Sequence, residues 1–401
     1  MNDAFGERRE VLVVGGGPGG AAAAIGLARR GRDVLLVERA PSWRWRACGV
    51  FTSPASVPAL RRLGLTDRDL ETVARRIPAM RVETPEGTRF RLTYGDDGSL
   101  SRSAIGLDRS ALDPLLLDGA RAAGAEVRTG VVVRAVRDGV ATLADGSRIG
   151  ARVIVGADGL RSVVARDAGV IREPPLGGRP ALTFHVEDPD PGAPRDARMF
   201  VFDGGYVGLA PVPGGRVNVG IVLIAARWRR RLRTAGAEAT ASAVLAAVPA
   251  AADDPVPWAT PRVCDAIEGA APVGLGVATR AGADWLLVGD ATGFLDPFTG
   301  EGLHRALRTA EMGASAVDRF LDADADALRE YDRAIRRATR GKDAVSRLVQ
   351  AFVASPRAFE YAARRLAGRS HVRETMGLVI GDLRPASSAF DPRFLARLLR
   401  P

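Results

Sequence analysis

The sequence predicts an α/β fold with a buried parallel sheet, an antiparallel sheet in the middle of the chain, and helices at its end. In the first part of the chain, short β-branched runs such as VLVVG at 11–15 and DVLLVE at 33–38 alternate with helical segments. This alternation is typical of parallel sheets covered by helices. Successive strand-like runs with glycine and proline turns follow at 183–224. Beyond about residue 331 the apolar residues recur with helical periodicity.

The composition is that of an ordinary globular protein, and 401 residues suffice for two interleaved domains or one large α/β body. The net charge of +10 does not indicate a nucleic-acid surface, because nearly all the cations are arginines scattered among acids. Two cysteines exclude a disulfide framework and favour a reducing cytoplasm. The N-terminus lacks the apolar core of a signal peptide. The three histidines are far apart, so no metal site is expected.

Residues 11–38 have the pattern of a complete βαβ unit. A buried strand runs into GGGPGG, an alanine-rich helix follows, and a second strand ends at Glu38. Gly15, Gly17 and Gly20 fit GxGxxG, whose glycines allow a tight turn, close approach of a pyrophosphate, and packing of the helix on the strand. The helix N-terminus offers free N–H groups and the positive end of its dipole to phosphates. The unit is therefore Rossmann-like and predicts a dinucleotide site.

Glu38 and its neighbour Arg39 are the candidates for binding the ribose end of this dinucleotide. Glu38 lies 18 residues after Gly20, where an acid accepts hydrogen bonds from a ribose hydroxyl. An acid here disfavours a 2′-phosphate, so FAD or NAD is expected rather than NADP.

Two later segments repeat the order of strand, glycine and aspartate. ARVIVGADGLRS at 151–162 contains Asp158 and Gly159, and ADWLLVGDATG at 283–293 contains Gly289 and Asp290. The order GxGxxG, GADGLRS, GDATG resembles the FAD-dependent oxidoreductases of the aromatic-hydroxylase superfamily, the group A flavin monooxygenases. It resembles their geranylgeranyl-reductase-like branch more closely. The resemblance implies FAD as the cofactor and Asp290 as the ligand of its ribityl chain.

The segment DPFTGEG at 296–302 extends this resemblance. Pro297, Gly300 and Gly302 match the family's PxxGxG, which brings a helix N-terminus up to the flavin pyrimidine. In that position the helix dipole stabilises negative charge at N1 and the C2 carbonyl of the reduced flavin.

Two further segments match the family less specifically. DRSALDPLLLDGARAAG at 108–124 resembles the family's R-x-x-L-D helix, whose arginine, here Arg109, lies near the cofactor. A surface arginine beside local acids is an equally good interpretation. GADGLRS resembles the segment that in the hydroxylases serves both FAD and a passing nicotinamide. Asp158 and Arg161 are therefore secondary candidates, and NAD(P)H is the expected transient electron donor.

These motifs predict an FAD-binding domain that is interrupted in sequence. The predicted division is residues 1–80, 100–178 and 280–330 for the FAD-binding domain, 81–99 and 179–279 for an inserted antiparallel-sheet substrate domain, and 331–401 for a C-terminal helical region. The inserted sheet is expected to cover the flavin face.

The apolar strands of that sheet predict a pocket for a hydrophobic small molecule. Its candidate lining residues are Phe184, Phe200, Phe202 and Tyr206, although alternate residues of a strand face opposite sides. The amphipathic C-terminal helices are compatible with a carrier-linked substrate or a peripheral membrane contact, but core packing is the commoner explanation.

Cys48 and Gly49 follow the second strand by about ten residues, where this superfamily folds a loop over the flavin. Geranylgeranyl reductases carry a Cys-Gly pair here. The resemblance implies that the Cys48 thiol lies beside the isoalloxazine, where it shapes the pocket or donates a proton. The alternative is a small buried apolar side chain.

Trp43 and Trp45 in the same loop raise the possibility of a flavin-dependent halogenase, a class that contains WxWxIP. That motif belongs to the central sheet, where this chain reads GGYVGLAPVPGG. Such halogenases also use a lysine early in the chain, whereas the only lysine here is Lys342. Halogenation is therefore not expected.

Two enzymatic functions remain. An NAD(P)H-driven monooxygenase would hydroxylate an aromatic or polyketide-like molecule of bacterial secondary metabolism, with the protein supplying orientation and a water-poor cavity. A reductase would pass hydride from reduced flavin to an alkene of a polyprenyl or other hydrophobic substrate, with a nearby acid supplying the proton. The sequence favours the monooxygenase by a small margin. Related folds also serve as prenyl-protein escorts without redox chemistry, but retention of three FAD motifs argues against that function.

Overall fold

The computed structural model describes residues 6–95, 98–249 and 256–399. Its strands are β1 (Glu7–Val14), β2 (Val34–Glu38), β3 (Phe51–Thr52), β4 (Ala74–Ile77), β5 (Ala79–Glu83), β6 (Arg89–Thr93), β7 (Ala104–Leu107), β8 (Glu126–Thr129), β9 (Val133–Arg137), β10 (Val140–Leu143), β11 (Arg148–Gly156), β12 (Ile171–Arg172), β13 (Ala181–Glu187), β14 (Ala197–Phe202), β15 (Gly205–Val212), β16 (Arg216–Leu223), β17 (Glu268–Ala270), β18 (Gly276–Val277) and β19 (Trp285–Leu287). Its α-helices are α1 (Pro18–Ala28), α2 (Ser56–Leu63), α3 (Asp67–Val73), α4 (Arg109–Ala122), α5 (Val163–Asp167), α6 (Ala226–Leu245), α7 (Gly302–Leu321), α8 (Ala327–Val353), α9 (Pro356–Gly368), α10 (Ser370–Ile380) and α11 (Pro392–Leu399).

The first sheet has the order β8-β2-β1-β11, and the far edge of β11 is shared by β19 and by the β10-β9 ribbon. Strands β8, β2, β1, β11 and β19 are parallel. Strand β2 and the second half of β1 are buried, as their uninterrupted apolar runs predict. Because parallel strands end at the same edge, the turns after β1, β11 and β19 come together there.

Small residues of α1 allow close packing on this sheet and on α7. Pro18 to Ile25 of the helix are all buried. At Gly26, an added Cβ would lie 3.0 Å from the Cβ of Ala314 in α7. Because α1 and α7 pack closely, the N-terminal ends of both helices lie at the same edge of the sheet as the turns after β1, β11 and β19.

The second sheet has the order β17-β13-β16-β15-β14-β5-β6 and is antiparallel except between β14 and β5. One face packs on α6, and the other packs on residues of the C-terminal helices and of the loop after β2. Strands β3, β7 and β4 form a small sheet, and β12 pairs with β18. Mixed parallel and antiparallel sheets with packed helices confirm the predicted fold class.

The aromatic residues predicted to line one pocket lie on two faces of this second sheet. Phe184, Phe200 and Phe202 belong to the apolar core beneath α6, whereas Tyr206 packs on the opposite face. The expectation was therefore wrong for the three phenylalanines. Alternation along a strand predicts two faces, but only the position of α6 decides which face is covered.

Helices α8 to α11 pack against one another and against the second sheet. In the described ranges, no helix has both the length and the apolarity needed to cross a membrane.

Candidate functional site

The turn between β1 and α1 leaves an open cradle at the helix N-terminus. Gly15 has φ of 106°, and an added Cβ there would lie 2.6 Å from the carbonyl oxygen of Ala157. At Gly20 an added Cβ would lie 1.9 Å from the oxygen of Gly15, so only glycine fits. At Gly17 an added Cβ would meet nothing within 4 Å. Helix α1 begins with Pro18 and has no side-chain cap within the described residues, so its first N–H groups are free for an anion.

Glu38 lies at the edge of a cleft of about 190 Å³ beside this cradle. Its Oε2 accepts a hydrogen bond of 2.7 Å from the N–H of Gly16, and its Oε1 accepts one of 3.0 Å from Ala40. Arg46, which the sequence did not single out, also lines the cleft, with its Nη1 3.7 Å from Oε1 of Glu38. Arg39 is exposed and does not line it.

The GDATG segment folds as a short 3-10 turn beside the first turn of α1. Gly289 has φ of 63°, and its N–H donates a 2.8 Å hydrogen bond to Oγ1 of Thr309. A Cβ added at Gly19 would lie 3.5 Å from the Cα of Gly289. Burial raises the pKa of Asp290, and the charges of Arg305 and Arg109 oppose that rise. Asp290 therefore lies close to both the cradle and the N-terminal turn of α7.

The DPFTGEG segment approaches the loop that contains Cys48. Gly300 has φ of 65°, and an added Cβ would lie 2.2 Å from Cδ1 of Phe51, so a side chain is excluded. Pro297 begins a 3-10 turn, and α7 starts at Gly302. Phe51 is three residues after Cys48, so the two predicted motifs meet.

Arg109 is buried and holds this loop. Its Nε and Nη2 donate to the two carboxylate oxygens of Asp113, at 2.6 and 2.9 Å, and its Nη1 donates to the carbonyl oxygen of Gly49 at 3.0 Å. The two-pronged ion pair fixes the guanidinium, which in turn fixes the Cys48–Gly49 backbone. The alternative of a surface arginine is excluded, because Arg109 is only 8% exposed.

Asp158 lies beside the cradle but has a structural task of its own. Its Oδ2 accepts a 2.6 Å hydrogen bond from the N–H of Val163 at the start of α5. Its Oδ1 is buried without a partner among the described residues, and burial raises the pKa of the carboxyl group. Gly159 has φ of 75°, and Arg161 is exposed.

A buried polar cluster around Asp296 was missed by the sequence analysis. Its Oδ1 accepts hydrogen bonds from the Tyr206 hydroxyl and from Nε2 of Gln350, and its Oδ2 lies 3.3 Å from Nη1 of Arg179. The aspartate that precedes Pro297 was the available signal. Its partners lie far away in sequence, and no local pattern identifies them.

These features fit FAD. A cradle without side chains faces a free helix N-terminus, as a pyrophosphate requires. A carboxylate lies at the adjoining cleft, where it would accept from a ribose. Asp290 would hold the ribityl chain, and the first turn of α7 would hold the flavin ring. Beside that turn, Oγ1 of Thr299 is a buried polar atom without a partner in the described chain. Among the described residues, no cluster of three or more His, Cys, Asp or Glu could hold a metal ion.

Comparison with known proteins supports the resemblance drawn from the motifs. Residues 8–347 match the FAD binding domain family. Menaquinone reductase of Mycolicibacterium smegmatis is 30% identical over 77% of this chain and 76% of its own length. Digeranylgeranylglycerophospholipid reductase 2 of Methanopyrus kandleri is 30% identical over 80% of this chain and 81% of its own.

Solved structures share the fold at lower identity. A geranylgeranyl bacteriochlorophyll reductase-like protein from Thermoplasma acidophilum has a TM-score of 0.78 at 20% identity, covering 98% of both chains. A probable FAD-dependent monooxygenase from Pseudomonas aeruginosa has a TM-score of 0.64 at 21% identity, covering 88% of this chain and 99% of its own. The predicted resemblance is confirmed: this chain belongs to the FAD binding domain family and is an FAD-dependent oxidoreductase.

Proposed function

We propose that this protein reduces an alkene bond in the prenyl chain of a hydrophobic substrate. Menaquinone and digeranylgeranylglycerophospholipid, the compounds in the names of the two 30% identical relatives, both carry polyprenyl chains. Reduction of prenyl chains was one of the two functions that the motifs left open. The observation that carries the proposal is the position of the Cys48–Gly49 segment. Arg109 donates a hydrogen bond to the Gly49 carbonyl oxygen, and Cys48 lies within the electrostatic influence of Arg109 and of Asp290 in the GDATG turn.

The environment of Cys48 suits a proton donor. The side chain is half-buried, and burial raises the pKa of its thiol, with the positive charge of Arg109 opposing the rise. A thiol with a raised pKa stays protonated at neutral pH, so it has a proton to give. A reactive thiolate would need the opposite shift.

Adding hydrogen to an alkene requires a hydride at one carbon and a proton at its neighbour. FAD, when bound and reduced by a nicotinamide donor, supplies the hydride. Cys48 would donate the proton to the other carbon and then recover one from solvent, so that overall the alkene gains two hydrogen atoms and the nicotinamide donor is oxidised. Arg109 would orient the loop through the Gly49 carbonyl oxygen and would not itself transfer the proton.

Hydroxylation, which the sequence favoured by a small margin, has weaker support. The monooxygenase from P. aeruginosa is 21% identical, and at that level it is evidence for the fold alone. The protonated Cys48 thiol, moreover, suits the proton donation that the proposed alkene reduction needs. We therefore make oxygenation an outcome of the test.

The test is anaerobic single turnover. The FAD-loaded protein is reduced, mixed with a short-chain menaquinone or a geranylgeranyl lipid, and followed by flavin absorbance and mass spectrometry of the product. We expect reoxidation without O2 and a product whose prenyl chain, identified from its fragment ions, is heavier by two hydrogen atoms; a gain confined to the quinone ring would contradict alkene reduction. A product that gains one oxygen atom, formed only in air, would identify a monooxygenase. A protein that never binds FAD would instead support an escort-like function.

The role of Cys48 is tested in the same assay. We expect Cys48→Ala to slow product formation by about 10²-fold, the lower range for a general acid, while FAD remains bound. Cys264 is exposed, and Cys264→Ala is the matched control that should leave the rate unchanged. Equal rates for Cys48→Ala and Cys264→Ala would assign Cys48 to packing.

A further inference from the structure

A small cavity lies between α7, α8 and the loop after α10, separate from the cleft beside the cradle. Its volume is about 40 Å³, which leaves room for at least one water molecule. Glu301, His304 and Arg308 of α7, Lys342 of α8 and Asp382 of the loop line it. Arg308 is exposed, so the cavity opens to solvent at that residue. We call it the Glu301 cavity.

The polar atoms around the Glu301 cavity are not all hydrogen-bonded. Nδ1 of His304, Nε of Arg305 and Oδ2 of Asp382 are buried and have no partner among the described residues. This set mixes donors with acceptors, whereas a bound anion would select donors and a bound cation would select acceptors. The lining therefore fits water, which both donates and accepts hydrogen bonds.

Glu301 connects this cavity with the candidate flavin turn. Its backbone lies between Gly300 and Gly302 and forms the N-cap of α7, where no side chain caps the helix. Its side chain lines the cavity, the residue is only 6% exposed, and its carboxyl group has no hydrogen-bond partner in the described ranges. A buried carboxylate without hydrogen bonds is poorly stabilised, so it takes up a proton readily.

Charged groups on the neighbouring elements act on Glu301. Burial raises the pKa of Glu301 to about 7, and the charges of Lys342 and Arg305 oppose that rise. The acids Asp382 and Asp343 add to it. The charged or titratable groups that face Glu301 or its cavity are His304, Arg305 and Arg308 on α7, Lys342 and Asp343 on α8, Arg62 on α2, and Asp382 in the loop after α10. The protonation of Glu301 therefore changes near neutral pH.

Negative charge at the start of α7 would raise the pKa of Glu301 further. With FAD held as described above, the first turn of α7 faces the flavin pyrimidine, where negative charge develops on reduction. An ionised Glu301 would repel that charge through the protein interior, whereas a protonated Glu301 would not. Reduction of the flavin therefore favours the protonated carboxyl group.

We propose that Glu301 takes up a proton from solvent, through the Glu301 cavity, when the flavin is reduced at neutral or higher pH. The electrons come from the nicotinamide donor, and the proton converts the Glu301 carboxylate to a carboxylic acid. Reoxidation of the flavin returns the proton to solvent, and Glu301 acts on the flavin through its charge alone. This proton uptake requires bound FAD but no particular substrate, so it is independent of the proposed alkene reduction.

The test is a redox titration of the FAD-loaded protein, without substrate, against a dye of known potential at pH values below and above about 7. At the lower values Glu301 is protonated in both flavin states, so the original protein and Glu301→Gln should show the same pH dependence. At the higher values an ionised Glu301 disfavours reduction. The equilibrium constant for reduction should then fall by up to about tenfold more per pH unit in the original protein than in Glu301→Gln. Profiles that stay parallel across the whole range would overturn the proposal.

Glu311→Gln is the matched control, because Glu311 is exposed on the same helix and paired with Arg62, and it should keep the original profile. Asp382→Asn removes an acid that raises the pKa of Glu301, so the break in the profile should move to lower pH. Asparagine also tolerates the φ of 59° at this position. A break that stays in place or moves to higher pH would contradict the charge coupling. FAD content is measured for every variant.

Infrared difference spectra give a second readout that needs no variant to fold. Reduction of the original protein just above pH 7 should produce the C=O band of a newly protonated carboxyl group. The same band should be missing from Glu301→Gln. Absence of the band from the original protein, or its persistence in Glu301→Gln, would place the proton elsewhere and overturn the proposal. Both measurements omit substrate, so a failure of alkene reduction would leave them unaffected.

Discussion

The hydroxyl of Tyr206 donates a hydrogen bond of 2.5 Å to Oδ1 of Asp296. The contact joins β15 of the second sheet to the turn that precedes α7, and both side chains are buried. Gln350 of α8 donates to the same oxygen at 2.7 Å. A single carboxylate therefore connects the second sheet, the candidate flavin turn and a C-terminal helix.

Tyr206→Phe is expected to destabilise the protein by about 1–2 kcal/mol, because it removes one donor from a buried carboxylate. Tyr94 provides the matched control, since its hydroxyl is buried without a partner among the described residues. Tyr94→Phe should be neutral or stabilising. Urea unfolding of both variants measures the difference, and an equal cost for the two substitutions would mean that the Asp296 contact adds no stability.

The glycines of the GxGxxG turn are expected to respond differently to alanine. Gly20→Ala forces a Cβ against the oxygen of Gly15 and should cost about 3 kcal/mol or more. Gly17→Ala adds a methyl group in open space, so we expect unfolding of the FAD-free protein to change by less than about 0.5 kcal/mol.

If a pyrophosphate occupies the cradle, the same methyl group obstructs it, and Gly17→Ala should raise the FAD dissociation constant at least tenfold. Chemical unfolding and fluorescence titration with FAD separate the two effects. Normal FAD affinity in Gly17→Ala would place the phosphates elsewhere.

The local motifs could be predicted from sequence because each depends on a few adjacent residues. Glycine spacing and β-branched runs indicated the turns after β1, β11 and β19, and parallel pairing brings those turns to one edge. The Asp296 cluster could not be predicted, because Tyr206 and Gln350 are separated from it by 90 and 54 residues. The sequence also could not show that Arg46 and not Arg39 lines the cleft, because the path of the loop after β2 decides this and no periodicity in the sequence predicts that path.

Arg109 should be far more sensitive to replacement than another arginine of α4. Arg109→Met removes both hydrogen bonds that Arg109 donates to the buried Asp113 and leaves that carboxylate only a longer ion pair, 3.6 Å from Nη2 of Arg46, so it should cost about 3–5 kcal/mol. Arg121, paired with Asp118 on the exposed face of the same helix, is the control, and Arg121→Met should cost about 0–1 kcal/mol.

Arg109→Lys keeps the charge but loses the two-pronged pair and the geometry of the Gly49 contact. We expect it to retain part of the stability and to lower FAD content in the purified protein. Unfolding midpoints and the flavin-to-protein absorbance ratio test this, and a Lys variant indistinguishable from the original protein would show that charge alone suffices.

Glu301, the N-cap residue of α7, should make stability depend on pH. Burial raises its pKa from the ordinary 4.5 to about 7, with the charges of Lys342 and Arg305 opposing the rise. The folded state therefore holds this proton more tightly than the unfolded state. The resulting stability is fully present below about pH 4.5 and is lost as the pH rises through about 7, by up to about 3 kcal/mol.

Glu301→Gln should flatten the unfolding free energy across this window and exceed the original protein in stability above pH 7. Glu311→Gln, at an exposed position of the same helix, should keep the original profile. Urea unfolding at several pH values decides the matter, because parallel profiles for Glu301→Gln and the original protein would mean that Glu301 ionises in the folded state as it does in the unfolded chain.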